Sequence, residues 1–179
     1  MRGAYPRGVD DWIQRHLTLS PGAVASLFEF VTAFGTFWVL LVVIVVVLHR
    51  RRRALVATAV ALVVSRVVVS WLKATIDRDR PPEIDRLVHA TGQAMPSGHA
   101  ANVAAVALGI AVAFPRWRWP AFGVAAVVGV SRVLLGVHWA SDVIAGWVVG
   151  AVISGACALS VSPASRRFRR PSSPAGRGS

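Results

Sequence analysis

Cysteine is nearly absent and acidic residues are few in this 179-residue chain. The single cysteine, Cys157, lies in an apolar run. No disulfide framework within the chain is therefore possible, and a small packing residue is the expected role. Eight Asp and Glu stand against 20 Lys and Arg, for a formal net charge of +12. A basic balance can signal nucleic acid, but here the arginines cluster beside apolar runs. That placement points to membrane topology and anionic headgroups, with no nucleic-acid partner. Charge as a whole is sparse, at 16% of residues against 55% hydrophobic. The mean hydropathy of +0.57 excludes an ordinary soluble domain and fits one small integral membrane bundle.

What fills the chain instead is long apolar runs. A membrane-spanning helix needs about 20 apolar residues. Residues 30–48 carry no charge, and their helix is expected to begin near Ala23. Further runs cover 54–72, broken only by Arg66, then 97–114, 119–137 and 139–161. Each is apolar on all sides, as a lipid-embedded helix should be. Their valine content favours strands in water. In lipid, only helices and closed barrels satisfy the backbone, and these runs are too long for barrel strands. The expected fold is all-α: an integral membrane helical bundle with five transmembrane helices. Residues 1–22 form an N-terminal segment with a short interfacial helix near 10–19, and lack the pattern of a cleaved signal. Residues 23–161 form the membrane domain. Residues 162–179, rich in Ser, Pro, Arg and Gly, read as a disordered basic tail.

Basic runs at 49–53, 115–118 and 166–170 fall on one side of a five-span bundle. The positive-inside rule makes that side, and the C-terminus, cytoplasmic. Trp12, Trp71 and Trp139 near the outer ends, with Trp117 and Trp119 near the inner one, suggest an aromatic belt. Three polar clusters then share the outer face: 73–81, 96–99 and 131–142. Ionisable groups at membrane depth are costly and mark functional sites.

In the last cluster His138 and Asp142 are i,i+4 and share one helix face. A carboxylate there fixes the imidazole tautomer and leaves the other nitrogen free as a nucleophile. Arg132 closes the preceding run. In the middle cluster Ser97 can cap a helix, Gly98 lets backbone approach a ligand, and the helix N-terminus suits phosphate. His99 stands at the same opening as a candidate general acid. In the first cluster Lys73 and the arginines Arg78 and Arg80 suit phosphate oxygens. Alone, each cluster is also explained by an ion pair, a helix cap or a snorkelling cation. Together they describe a phosphoryl-transfer site built on charge and positioning. Asp77, Asp79, Glu83 and Asp85 alternate with Arg78, Arg80 and Arg86, so ion pairing or solvation is expected there and no metal site. Arg66 is expected to pair with Glu29, with snorkelling or a substrate contact as alternatives. His16, His49 and His89 receive no role.

Lys73-x6-Arg80-Pro81, Pro96-Ser97-Gly98-His99 and Ser131-Arg132-x5-His138-x3-Asp142 resemble the three-part signature of the type 2 phosphatidic acid phosphatase superfamily. The resemblance covers about residues 24–160 and holds for all three parts in order. It implies a metal-independent phosphatase without cofactor, acting on a lipid phosphate or diphosphate. His138 would form a phosphohistidine, Asp142 would orient it, and His99 would protonate the leaving group. Lys73, Arg80, Ser97, Gly98 and Arg132 would bind phosphate. Membrane members of that family commonly have six spans, so the five expected here lack the first. Undecaprenyl diphosphate is the favoured substrate, at the extracytoplasmic face of the plasma membrane, with phosphatidic acid and phosphatidylglycerol phosphate also compatible. A phosphotransferase using the same phosphohistidine and a non-catalytic lipid-binding scaffold are the competing readings. Vanadate-dependent haloperoxidases share the signature but are soluble. The expected partners are the lipid phosphate and the surrounding membrane lipids, and the sequence leaves oligomeric state open.

Overall fold

The computed structural model describes residues 8–20, 22–82 and 86–161, and among them it contains seven α-helices and no strand. These are α1 (Gly8–Leu17), α2 (Ala23–Ala33), α3 (Phe37–Leu48), α4 (Arg52–Ile76), α5 (Gly98–Ala113), α6 (Arg118–Leu134) and α7 (Ala140–Val161). A 3-10 turn, Pro115–Trp117, leads into α6. The expected tail, and Glu83 and Asp85, lie outside the described residues.

By length and apolar composition α4 and α7 can each cross a bilayer, and α2 with α3 would make a third, bent span. The central helix α5 is apolar but only 16 residues long, and α6 has 17. Helices thus stand where the five apolar runs predict them, yet two or three meet the measure of a full span. The first run, continuous in sequence, is bent by 60° between α2 and α3. Gly35 sits in that bend against His99 of α5 and Val128 of α6. A Cβ on Gly35 would lie 2.7 Å from the His99 ring, so only glycine permits this approach.

Central α5 is buried continuously from Ala100 to Ala107. It packs most extensively on α7, then on α6 and α4. Small residues allow this closeness: Gly146 and Gly150 of α7, four apart, face the α5 backbone at Ser97 and Ala101 with no room for a side chain. A larger apolar cluster around Leu40, Ile44, Leu62, Val106 and Val128 ties α3, α4, α5 and α6 together. Outward-facing Val42, Val46, Val56, Val67, Val148 and Val152 remain exposed, as lipid-facing positions should.

The polar clusters share one end of the bundle. The Ser97 N–H at the start of α5 donates to the Asp142 carbonyl at the start of α7, at 2.9 Å. The last turns of α4 and α6 carry Lys73 and Arg132 to the same end. Helix α1 docks there, with the Leu19 N–H bonded to Leu134 O at 2.9 Å and Ile13 packed near Ala100, Val133 and Val143. Residues 49–53, the α3–α4 loop and the start of α4, lie at the opposite end, beside the last turns of α5 and α7.

Candidate active site

The turn between α6 and α7 is held tightly. Gly136 takes a positive φ of 73°, and the N–H groups of Val137 and His138 both point at Arg132 O, at 3.2 Å. This buries the His138 side chain to 3% exposure. One turn on, the fully buried Asp142 carboxylate accepts from the Trp139 N–H at 2.9 Å and lies 3.4 Å from His138 Nδ1. On the other ring edge, Arg80 Nη1 lies 3.1 Å from His138 Nε2. A guanidinium can only donate, so Nε2 is the acceptor and the ring proton sits on Nδ1, toward Asp142. That tautomer leaves a lone pair on Nε2. Burial first, then the charges of Arg80, Arg132 and Lys73, push the His138 pKa well below its ordinary value, partly offset by the Ala94 backbone. The imidazole is therefore neutral near pH 7.

Arg80 is fixed by backbone carbonyls. It donates to Val137 O at 2.7 Å, Gly92 O at 2.9 Å and Thr91 O at 3.1 Å. Burial, then the neighbouring Arg86, lowers its pKa, while Asp142 opposes the shift. Lys73 reaches from α4 to the carbonyls of Gln93 and Ala94, the latter at 3.2 Å. Arg132 donates from Nη1 to Thr32 Oγ1 of α2 at 2.8 Å. Its Nε and the Ser97 hydroxyl are buried and have no hydrogen-bond partner among the described residues. Leaving such a group unpaired costs about 1–3 kcal/mol, so both are suited to a ligand that accepts hydrogen bonds. Gly98 is open, with Val69 as the nearest neighbour to a Cβ at 3.8 Å. His99 leans toward the α2–α3 bend against Gly35. The structure thus brings Lys73, Arg80, Ser97, Gly98, His99, Arg132, His138 and Asp142 to one end of the bundle.

Several neighbours are absent from the sequence expectation. Arg78 reaches carboxylates distant in sequence. Its guanidinium binds Asp142 Oδ1 and Asp10 Oδ2, each at 2.7 Å, and Ser141 Oγ at 2.6 Å. Asp10, on α1, also accepts from the Ser141 N–H at 3.1 Å. Asp77 accepts from Gln93 Nε2 at 3.3 Å. Trp139 belongs to no interfacial belt: it is 2% exposed and its indole donates to Asp79 O at 2.9 Å. Trp71 and Trp119, by contrast, are exposed. Arg66 sits over the Phe37 ring, 5.4 Å from its centroid, and no ion pair joins it to Glu29 among the described residues. Also among these residues, no group of three or more His, Cys, Asp or Glu is arranged to hold a metal.

Residues 54–166 match the PAP2 superfamily. An undecaprenyl-diphosphatase of Sulfolobus acidocaldarius is 46% identical over 66 residues, covering 36% of this chain and 32% of the relative. A lipid A 1-phosphatase of Rhizobium johnstonii is 34% identical over 102 residues, covering 52% of this chain and 42% of the relative. The chain thus spans well under half the length of these curated relatives. The crystal structure of a transmembrane PAP2-type phosphatidylglycerolphosphate phosphatase from Bacillus subtilis superimposes with a TM-score of 0.75 at 23% identity. That likeness covers 93% of this chain and 89% of the other, and it shows a shared fold.

Proposed function

This chain belongs to the PAP2 superfamily, and from that premise we propose that it is a membrane phosphohydrolase acting on a lipid phosphate or diphosphate through a phosphohistidine at His138. One observation carries the reading: a buried, neutral imidazole whose Nε2 lone pair lies among Arg80, Arg132 and Lys73. Three cations there face one nearby carboxylate, Asp142, and a phosphoryl group would supply further negative charge. In the first step Nε2 attacks phosphorus as the bond to the lipid oxygen breaks, and His99 gives that oxygen a proton. Asp142 holds the Nδ1–H and balances the imidazolium charge that develops. Lys73, Arg80 and Arg132, with the Ser97 hydroxyl and the Gly98 backbone, stabilise the equatorial oxygens. Water then attacks phosphorus and the N–P bond breaks. His99 takes up a proton from that water, and inorganic phosphate leaves. This scheme uses no metal or cofactor.

Undecaprenyl diphosphate is the favoured substrate, supported by the name of the relative that is 46% identical over its matched stretch. Lipid A 1-phosphate and phosphatidylglycerol phosphate are the comparators. The test is phosphate release by the purified chain from each of these lipids in the presence of a chelator. Release is expected, fastest from undecaprenyl diphosphate, and His138→Ala should abolish it. Retention of full activity by His138→Ala, or a strict need for added divalent metal, overturns the mechanism.

A further inference from the structure

We infer that the end of the bundle opposite His138 carries a second site, which holds an anionic phospholipid with its phosphodiester on the 49–53 arginine rim and an acyl chain between α4, α5 and α7. A cavity of about 830 Å³ opens there. Its volume is within the ordinary range for ligand sites. Close packing fixes its floor: Gly109 of α5 meets the Thr58 side chain of α4 with no space for a Cβ. Ser154 on the α7 wall commits its hydroxyl to Ala105 O at 2.8 Å, so that wall offers little polarity. Val112 and Ala158 extend the apolar surface toward the mouth.

The rim has the opposite character. Arg50, Arg51, Arg52 and Arg53 line the mouth and are exposed. Among the described residues no carboxylate pairs with any of them. Arg51 is seated over the Phe114 ring, 5.4 Å from its centroid, and Arg50 Nε contacts His49 Nε2 at 3.3 Å. The site is therefore an apolar cleft under a cluster of cations that no carboxylate neutralises among the described residues. Charge selects the occupant. Residues 162–179 contain five arginines and no Asp or Glu, so that segment would be repelled by the rim. A zwitterionic lipid would place its ammonium among the arginines. A free phosphate would leave the apolar cleft unused. An anionic phospholipid matches both parts, as basic pockets between transmembrane helices do generally. The reading needs the membrane placement but not the hydrolase activity.

The test uses the full chain, purified in detergent, delipidated and titrated with dioleoyl phosphatidylglycerol or dioleoyl phosphatidylcholine under native mass spectrometry. Phosphatidylglycerol should be retained and phosphatidylcholine should not. The combined Arg50→Gln, Arg52→Gln, Arg53→Gln variant should bind phosphatidylglycerol about tenfold more weakly or worse. Val112→Trp, at an exposed position, should fill the cleft and do the same, with Ala158→Phe on the facing wall as a second filling variant. Arg80→Gln should leave the retained lipid unchanged. Equal retention of both lipids, or loss of binding in Arg80→Gln, overturns the assignment. So does normal binding in both filling variants, which would reduce the effect to surface charge.

Discussion

Arg78 divides one guanidinium among three oxygen-bearing partners, Asp142, Asp10 and Ser141, and the Met95 sulfur, while its face rests over Trp139 at 5.8 Å. It does not point at His138, so it acts through Asp142, as a positioning residue. The pair is largely buried, with side-chain exposures of 10% for Arg78 and 0% for Asp142. Removing one partner of such a pair leaves an uncompensated charge and costs about 3 kcal/mol or more. Arg78→Ala should therefore lower the melting temperature and reduce kcat about 100-fold, with KM changed little. Arg78→Lys keeps the charge but loses the planar fork, so it should recover stability better than kcat. A variant that raises KM while sparing kcat would instead place Arg78 on the substrate. The adjacent alternation of acids and arginines gave no sign of these partners, because the true carboxylates are 64 and 68 residues away.

Helix α1 is held across this end by the Asp10 carboxylate, beside the Ile13 packing and the Leu19 backbone bond. Asp10 is partly buried, which opposes ionisation, but hydrogen bonds from Ser141 and Arg78 outweigh that and keep its pKa below the ordinary carboxylate value. A depressed carboxylate contributes stability above its unfolded pKa of about 3.9, and loses it as pH falls through the folded value. At pH 7 Asp10→Asn should melt below the parent protein. The difference should narrow as pH drops below about 4, measured by thermal unfolding in detergent across a pH series. An undiminished gap at pH 3 would mean that the Asp10 contact does not depend on the charge. The signature residues could be named from sequence as a set because the proposed phosphoryl chemistry calls for particular side chains at particular spacings. Their supports were not. Gly35 looks like an incidental residue in an apolar run, and its necessity lies in His99 and Val128, brought in from α5 and α6. The bend it permits was invisible for the same reason: hydropathy counts apolar residues and is blind to direction.

At the scale of the whole molecule, the candidate site and the arginine-rich 49–53 segment occupy opposite ends. The 25 residues of α4 span about 37 Å, enough to cross a hydrocarbon core of about 30 Å with Lys73 near one surface and Arg52 near the other. The 49–53 segment, from the α3–α4 loop into the start of α4, contains four arginines, and residues 115–118 at the start of α6 add Arg116 and Arg118 at the same end. Positive loops are retained in the cytoplasm, so the His138 end should face outward. The single cysteine makes this directly measurable. In a Cys157→Ser background, His89→Cys marks the exposed loop before α5 and Arg52→Cys marks the basic end. In intact cells a membrane-impermeant maleimide should label His89→Cys at once and Arg52→Cys only after permeabilisation. Reversed labelling would invert the protein and place the proposed hydrolysis on the cytoplasmic side. Labelling of both from one side would mean that the two ends do not lie on opposite faces of the membrane. Only the expected pattern places an outward-facing phosphatase and a cytoplasmic-leaflet lipid site on the same short bundle.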